Sequence, residues 1–241
     1  MMPQPVLRTS SYRQSTPVPS YRRSTPVSSY RQSTPVTPPP HVGDAIEMMG
    51  APMSFGRNAE IYGEGEPSDY LYKVISGTVR TYKVLGDGRR QIGAFYLPGD
   101  AFGLEIGAAH TFSAEAITDA RILVIKRSAV TALAARDNSV AQQLLAMTSR
   151  EVERLQGHVM LLIKTAQERV AGFLLEMADR ATARNEVELT MSRQDIADYL
   201  GLTIETVSRT LTLLENAATI ALPTSRRIVL RNRGALHRLN S

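Results

Sequence analysis

The amino-acid sequence predicts an α+β chain: an N-terminal β-roll, one long helix and a C-terminal winged helix-turn-helix. Three observations carry this prediction. Short apolar runs punctuated by Gly, Pro and Asp occupy residues from about 53 to 126. Aliphatic side chains then recur at seven-residue spacing after Asp137. Finally, two short amphipathic segments separated by Gly201 lie between Ser192 and Asn216.

The elements follow in order. Residues 1–45 are predicted to be a disordered tail, because the unit SYRQSTPV at Ser11 recurs from Ser20 as SYRRSTPV and from Ser29 as SYRQSTPV. Such a short Pro-containing unit lacks the apolar surface to offset its ordering entropy. A roll spans 46–136. Its strands are expected at Tyr70–Ile75, ending at Ser76-Gly77, and at Val79–Leu85, running into the Gly86-Asp87-Gly88 turn. Further strands are expected at Ile92–Leu97, Ala114–Thr118 and Ile122–Ile125. Five or more short strands at this spacing suit a small all-β roll or barrel. A short helix is expected at Arg127–Ala135.

Residues 137–164 form the long helix, capped by Asp137-Asn138 and reaching about Ile163. Leu145, Val152 and Val159 repeat every seven residues along it, and Leu155 and Leu162 form a second series. That is a coiled-coil-like seam and it predicts a homodimer, with packing within the chain as the alternative because Thr148 and Gly157 interrupt its apolarity. Residues 165–241 form the last domain. It begins with an amphipathic helix, Ala166–Thr182, carrying Val170, Phe173, Leu174 and Met177 on one face.

Ser192, three residues before Asp195, resembles a capping box, although Asp is shorter than the usual Glu. Gly201 allows a left-handed residue that closes this helix, and Thr203 caps the next. On the second helix Val207, Leu211 and Leu214 fall on one side, while Glu205, Ser208, Arg209 and Thr212 fall on the other, with Ile204 on the border. Arg bonds guanine O6 and N7 together and Glu accepts from the cytosine amino group. Glu205 and Arg209, four apart and one turn from the helix N-terminus, are therefore expected to reach adjacent base pairs. A Glu205–Arg209 surface pair at i,i+4 is the alternative. Ile220–Pro223 and Ile228–Leu230 flank Thr224-Ser225-Arg226-Arg227, a hairpin with a basic tip. Arg193, Gln194, Thr203, Thr206, Arg226 and Arg227 are the expected backbone contacts, and Arg231 and Arg233 could extend them.

Composition narrows the function. The net charge of +5 is uneven: residues 1–43 carry five Arg and no acid, and residues 190–241 carry seven Arg against four acids. A basic end on a mildly acidic body suits nucleic-acid binding by one part only. There is no cysteine, which excludes disulfides, thiolate zinc sites, Cys-ligated clusters and thiol switches. His41, His110, His158 and His237 offer no metal-ligand spacing, so no metal is expected. No catalytic constellation stands out, so the chain is not expected to be an enzyme. It has no apolar stretch of the roughly 20 residues that span a bilayer and no signal-like N-terminus, so no membrane is expected and the cytoplasm is the expected compartment.

The order of roll, long helix and winged helix-turn-helix resembles the CRP/FNR family of bacterial regulators over about 50–236. The resemblance is carried by GDAFGLEIG at Gly99–Gly107 and by SRQDIADYLGLTIETVSRTLTLLEN at Ser192–Asn216. The I-E-T-V-S-R hexapeptide at Ile204–Arg209 is similar to the FNR and FixK branch, most of all to FixK. The resemblance implies a cyclic-nucleotide-binding-like jelly roll, double-stranded DNA with a TTGA-type half-site read by Glu205, Ser208 and Arg209, contact with RNA polymerase and control of microaerobic and nitrogen-fixation genes. The cyclic-nucleotide branch places an Arg-Ser pair after its G-E-L segment. Here Thr111-Phe112-Ser113 stands there without the Arg, so no cyclic nucleotide and no other cofactor is expected. A small uncharged molecule or a haem in the roll is the alternative.

Overall fold

The computed structural model describes residues 44–105, 107–181 and 185–240, and the sequence-based reading of the repeat tail falls on residues outside these, apart from Asp44 and Ala45. A short helix α1 (Asp44–Glu47) leads into eight strands: β1 (Ala51–Phe55), β2 (Glu60–Tyr62), β3 (Tyr70–Ser76), β4 (Val79–Val84), β5 (Arg90–Tyr96), β6 (Ala101–Phe102), β7 (Ser113–Ala116) and β8 (Ala120–Lys126). They form two antiparallel four-stranded sheets, ordered β1-β8-β3-β6 and β2-β7-β4-β5. Alternation along the strands sends side chains to different cores. Tyr72, Val74 and Ile122 point between the sheets with Val79, Ala94, Phe102 and Ala114. Leu71, Leu123 and Ile125 point outward, onto Ile46, Val130 and Val140 of flanking helices.

The turns expected from Gly are present. Gly77 joins β3 to β4 at φ 84°, and a Cβ there would sit 2.4 Å from the Asp119 carbonyl oxygen. At the other end of β4, Asp87 accepts from the Arg89 backbone N–H at 3.1 Å and closes the hairpin to β5. Three strands are absent from the sequence expectation, and each has a reason. β1 is an exposed edge strand containing Pro52, while β2 and β6 are too short to show a period.

Helix α2 (Arg127–Ala134) covers the outer sheet, and α3 (Asn138–Leu162) follows. The Asp137 carboxylate accepts from the Ser139 N–H at 2.8 Å and caps α3. Helix α4 (Ala166–Arg180) starts from a capping box in which Thr165 and Glu168 bond reciprocally. It ends at Arg180 with Ala181 extended, short of the expected Thr182, which lies outside the described residues. Nor is it a surface helix with one apolar face: all of Val170–Leu175, with Met177 and Ala178, is buried. It lies at the centre of the largest apolar cluster, which joins Ile92, Phe95 and Ile117 of the roll to Phe173, Tyr199 and Leu211 beyond it.

Strand β9 (Glu186–Glu188), helices α5 (Arg193–Leu200) and α6 (Ile204–Asn216), strands β10 (Ile220–Ala221) and β11 (Arg227–Leu230) and helix α7 (Arg233–Asn240) complete the chain. The wing is three-stranded rather than the expected hairpin alone, because β9 pairs with β11.

Polar contacts reinforce the junction between roll and α5. Arg80 Nη1 and Arg90 Nη2 both donate to Asp195 Oδ1, at 2.7 and 2.6 Å, and Arg90 Nε donates to Asp198 Oδ2 at 2.8 Å. Burial disfavours the Arg90 charge, but its bonds to Asp198 and Asp195 outweigh that and raise its pKa. From α3, buried His158 bonds the Tyr199 carbonyl at 2.7 Å and stacks on the Tyr199 ring with centroids 4.0 Å apart.

Candidate nucleic-acid interface

The pair α5–α6 is built as the residue types require. Ser192 Oγ accepts from the Asp195 N–H at 3.1 Å, and Asp195 Oδ2 accepts from the Ser192 N–H at 2.9 Å, so the shorter Asp completes the capping box. Gly201 adopts φ 62° and ends α5. Thr203 Oγ1 then accepts from the Thr206 N–H at 3.2 Å and opens α6. Val207, Thr210, Leu211 and Leu214 anchor α6 in the core.

The opposite face is exposed and carries Glu205, Ser208, Arg209 and Thr212; Ile204, on the border, is 37% exposed. Glu205 is held below the usual carboxylate range by its own backbone N–H and by Thr203, with a smaller contribution from Arg209. It is thus an anionic acceptor at neutral pH, oriented from its own first turn rather than mainly by Arg209. Ser208, Arg209 and Glu205 together offer hydroxyl, guanidinium and carboxylate to a groove, one helical turn from the N-terminus of α6.

The residues expected at the DNA backbone divide into two groups. Arg226 is exposed at the wing tip, and Thr203 and Thr206 sit at the α6 N-terminus with their hydroxyls 3.1 Å apart. The other three are engaged within the protein. Arg193 is half-buried and donates to the Ser225 carbonyl at 2.9 Å, bracing the wing tip against α5. Gln194 donates to Asp198 at 2.6 Å, and Arg227 donates to Glu186 at 2.5 and 2.9 Å. Of the possible extensions, Arg231 is exposed, while Arg233 pairs with Asp179. The second role of Asp195, joining α5 to the roll, could not be found from local pattern, because Arg80 and Arg90 lie 115 and 105 residues away.

Along α3, Leu145, Val152, Leu155 and Val159 are exposed, and Leu162 is half-buried where it approaches Gly201. Inside the roll a cavity of about 250 Å³ is lined by Tyr62, Tyr96, Phe102, Phe112 and, from α3, Val152 and Leu155; its charged lining residues are Glu105 and Glu151. Ser113, the serine of the expected phosphate-binding position, accepts from the Glu64 N–H at 2.9 Å instead.

Residues 168–239 match the Crp-like helix-turn-helix domain, and residues 52–137 match the cyclic nucleotide-binding domain. The chain is 54% identical over 202 residues to the nitrogen fixation regulation protein FixK of Azorhizobium caulinodans, covering 81% of this chain and 82% of that one. The chain belongs to the CRP/FNR family, in its FixK-like branch. The FixK protein of Rhizobium meliloti is 41% identical over 203 residues, covering 80% and 93% of the two chains. In three dimensions the chain is similar to FixK2 from Bradyrhizobium japonicum, with a TM-score of 0.77 and 51% identity over 80% of this chain and 98% of that one. The protein is therefore a transcription regulator of the CRP/FNR type with a helix-turn-helix DNA-binding domain. Among the described residues no helix is long and apolar enough to cross a membrane.

Proposed function

We propose that the chain binds a TTGA-type palindrome as a homodimer and activates genes of nitrogen fixation and microaerobic respiration by contacting RNA polymerase in the cytoplasm, without catalysis of its own. The observation that carries this reading is the exposed face of α6, where ionised Glu205 stands beside Ser208 and Arg209 with nothing among the other described residues covering them. The exposed aliphatic seam on α3 supports the dimer, since contiguous exposed apolar patches mark interaction surfaces. The nitrogen-fixation genes are proposed from the FixK relatives, which are nitrogen fixation regulation proteins, and the microaerobic genes from the family resemblance. Selecting bound sites from random double-stranded DNA tests the proposal. A paired TTGA-type half-site, with centres about 34 Å apart, is the expected result, and an unpaired or unrelated motif would refute it.

The roll in this reading takes no cyclic nucleotide. Its cavity has two carboxylates and no cation among the described lining residues, and a cyclic phosphate there would be left without a counter-charge. One observation favours a second reading, a small uncharged ligand. Glu105 Oε2 and His110 Nε2, neighbours joined through their other polar atoms at 3.3 Å, are buried without partners beside this space. The cavity is smaller than the roughly 300–1,000 Å³ of drug-sized ligand sites, so it suits a small polar molecule better than a macrocycle. A melting-temperature rise on adding extracts of the host's small molecules distinguishes the two readings.

A further inference from the structure

We infer that the ion-pair joint between roll and α5 fixes the half-site spacing that the dimer accepts, with Arg80 and Arg90 as positioning residues; this rests on the reading of the chain as a palindrome-binding dimer. The backbone passes from the seam helix α3 to α4 through residues 163–165 alone. What packs across that link therefore decides how rigidly each reading helix is mounted. The apolar part of the contact, Ile92 and Phe95 against Phe173 and Tyr199, resists separation but has little directional preference. The polar part is directional.

Asp195 and Asp198 are three apart and share one face of α5, with side chains only 4% and 12% exposed. Both meet arginines of the roll. Arg80 is itself anchored, since its Nη2 donates to Glu115 on the neighbouring strand at 2.9 Å. The Tyr82 ring lies 6.0 Å from both guanidinium centres, filling the space around them. Asp198 passes the constraint to exposed Gln194, and Asp195 is also the capping-box partner of Ser192 at the start of α5. A shift of α5 by more than about an ångström would break these bonds and leave largely buried charges unpaired, which is costly. The joint therefore permits one orientation of the reading domain on the roll, and hence on the seam.

A palindrome lengthened or shortened by one base pair moves a half-site about 3.4 Å along the axis and turns it by roughly one-tenth of a full rotation. A rigid mount cannot follow such a step. A loosened one can.

The test uses the full chain and its Arg90→Gln, Asp198→Asn and doubly substituted forms. Each is titrated with the selected palindrome and with versions whose half-sites stand one or two base pairs closer or farther. The unsubstituted protein should prefer its own spacing about tenfold or more, as when one half-site's contacts are compromised. The substituted proteins should keep the same preferred half-site bases while their spacing preference falls toward parity. Arg90→Lys, which keeps the charge but loses the two-pronged geometry, should recover part of it. If all forms lose affinity equally at every spacing, or keep the original preference, the joint is only structural and the inference fails. Where Arg90→Gln is unfolded by circular dichroism, Arg90→Lys alone decides by the same ratio. If the unsubstituted protein binds only single half-sites, it is the dimer reading that fails, and the inference falls with it.

Discussion

Adjacent helices α5 and α6 carry similar charges to opposite ends. On α5, Asp195 and Asp198 are largely buried and bonded to arginines more than a hundred residues away. On α6, Glu205 and Arg209 are exposed, and Glu205 is held mainly by groups within its own first turn. A charge that mounts one part of a protein on another must find its partners inside the fold, because an unpaired buried ion is strongly destabilising. A charge meant for an external partner is better left hydrated, with its backbone held in place and its fold contribution close to nothing. In the proposed reading the two faces separate stability from recognition within about 15 residues, and substitutions should separate them too.

The largest expected effect is on the mounting face. Asp195→Ala removes a helix cap and leaves Arg80 and Arg90 without their shared carboxylate. It should lower stability by about 3–5 kcal/mol in chemical denaturation, and a change no larger than that of a surface substitution would show that the joint carries little energy. On the reading face, Arg209→Ala should leave the denaturation midpoint in place. It should weaken specific binding by about 1–3 kcal/mol and relax one base position. Retained discrimination in a gel-shift series would reassign the α6 face.

His158 sharpens the comparison through pH. Burial depresses its pKa below the ordinary value, with bonds to the Tyr199 and Gly93 carbonyls opposing. A depressed histidine pKa means that the unfolded chain binds the proton first. Stability is therefore full above about pH 6.5 and declines as pH falls from there toward the depressed pKa. His158→Gln should remove this part of the pH dependence, which thermal melts at a series of pH values would reveal. The smallest effects belong to the wing. Arg226→Ala should lower the salt slope of DNA binding by about one and weaken all sequences alike. Arg227→Ala should lower it less, because that guanidinium is engaged by Glu186. Equal slopes for the two variants would count against the distinction.

Local rules were enough for the features whose causes are local. Capping by Ser192, Thr203 and Asp137, the left-handed Gly201 and the split face of α6 each depend on residues within one or two turns, and all are legible in the sequence. The exposed stripe of Leu145, Val152, Leu155 and Val159 on α3 is legible because heptad spacing shows in the sequence without any partner. What escaped has non-local causes. Helix α4 looked amphipathic, yet the roll on one side and α7 on another bury it nearly all round. Strand β9 has three residues and no period, and exists because β11 offers it an edge. Arg193 and Arg227 read as free cations until the chain brought Ser225 and Glu186 to them. Asp195 was found as a cap but not as a joint.

That double duty of Asp195 has a consequence for the order of assembly. The roll leaves the ribosome before α5 does, so both arginines are waiting when the capping carboxylate emerges. The reading domain then folds against a roll already synthesised, and a DNA-binding fragment made without residues 80–90 would keep Asp195 as the capping-box partner of Ser192 but lose the arginines that join α5 to the roll.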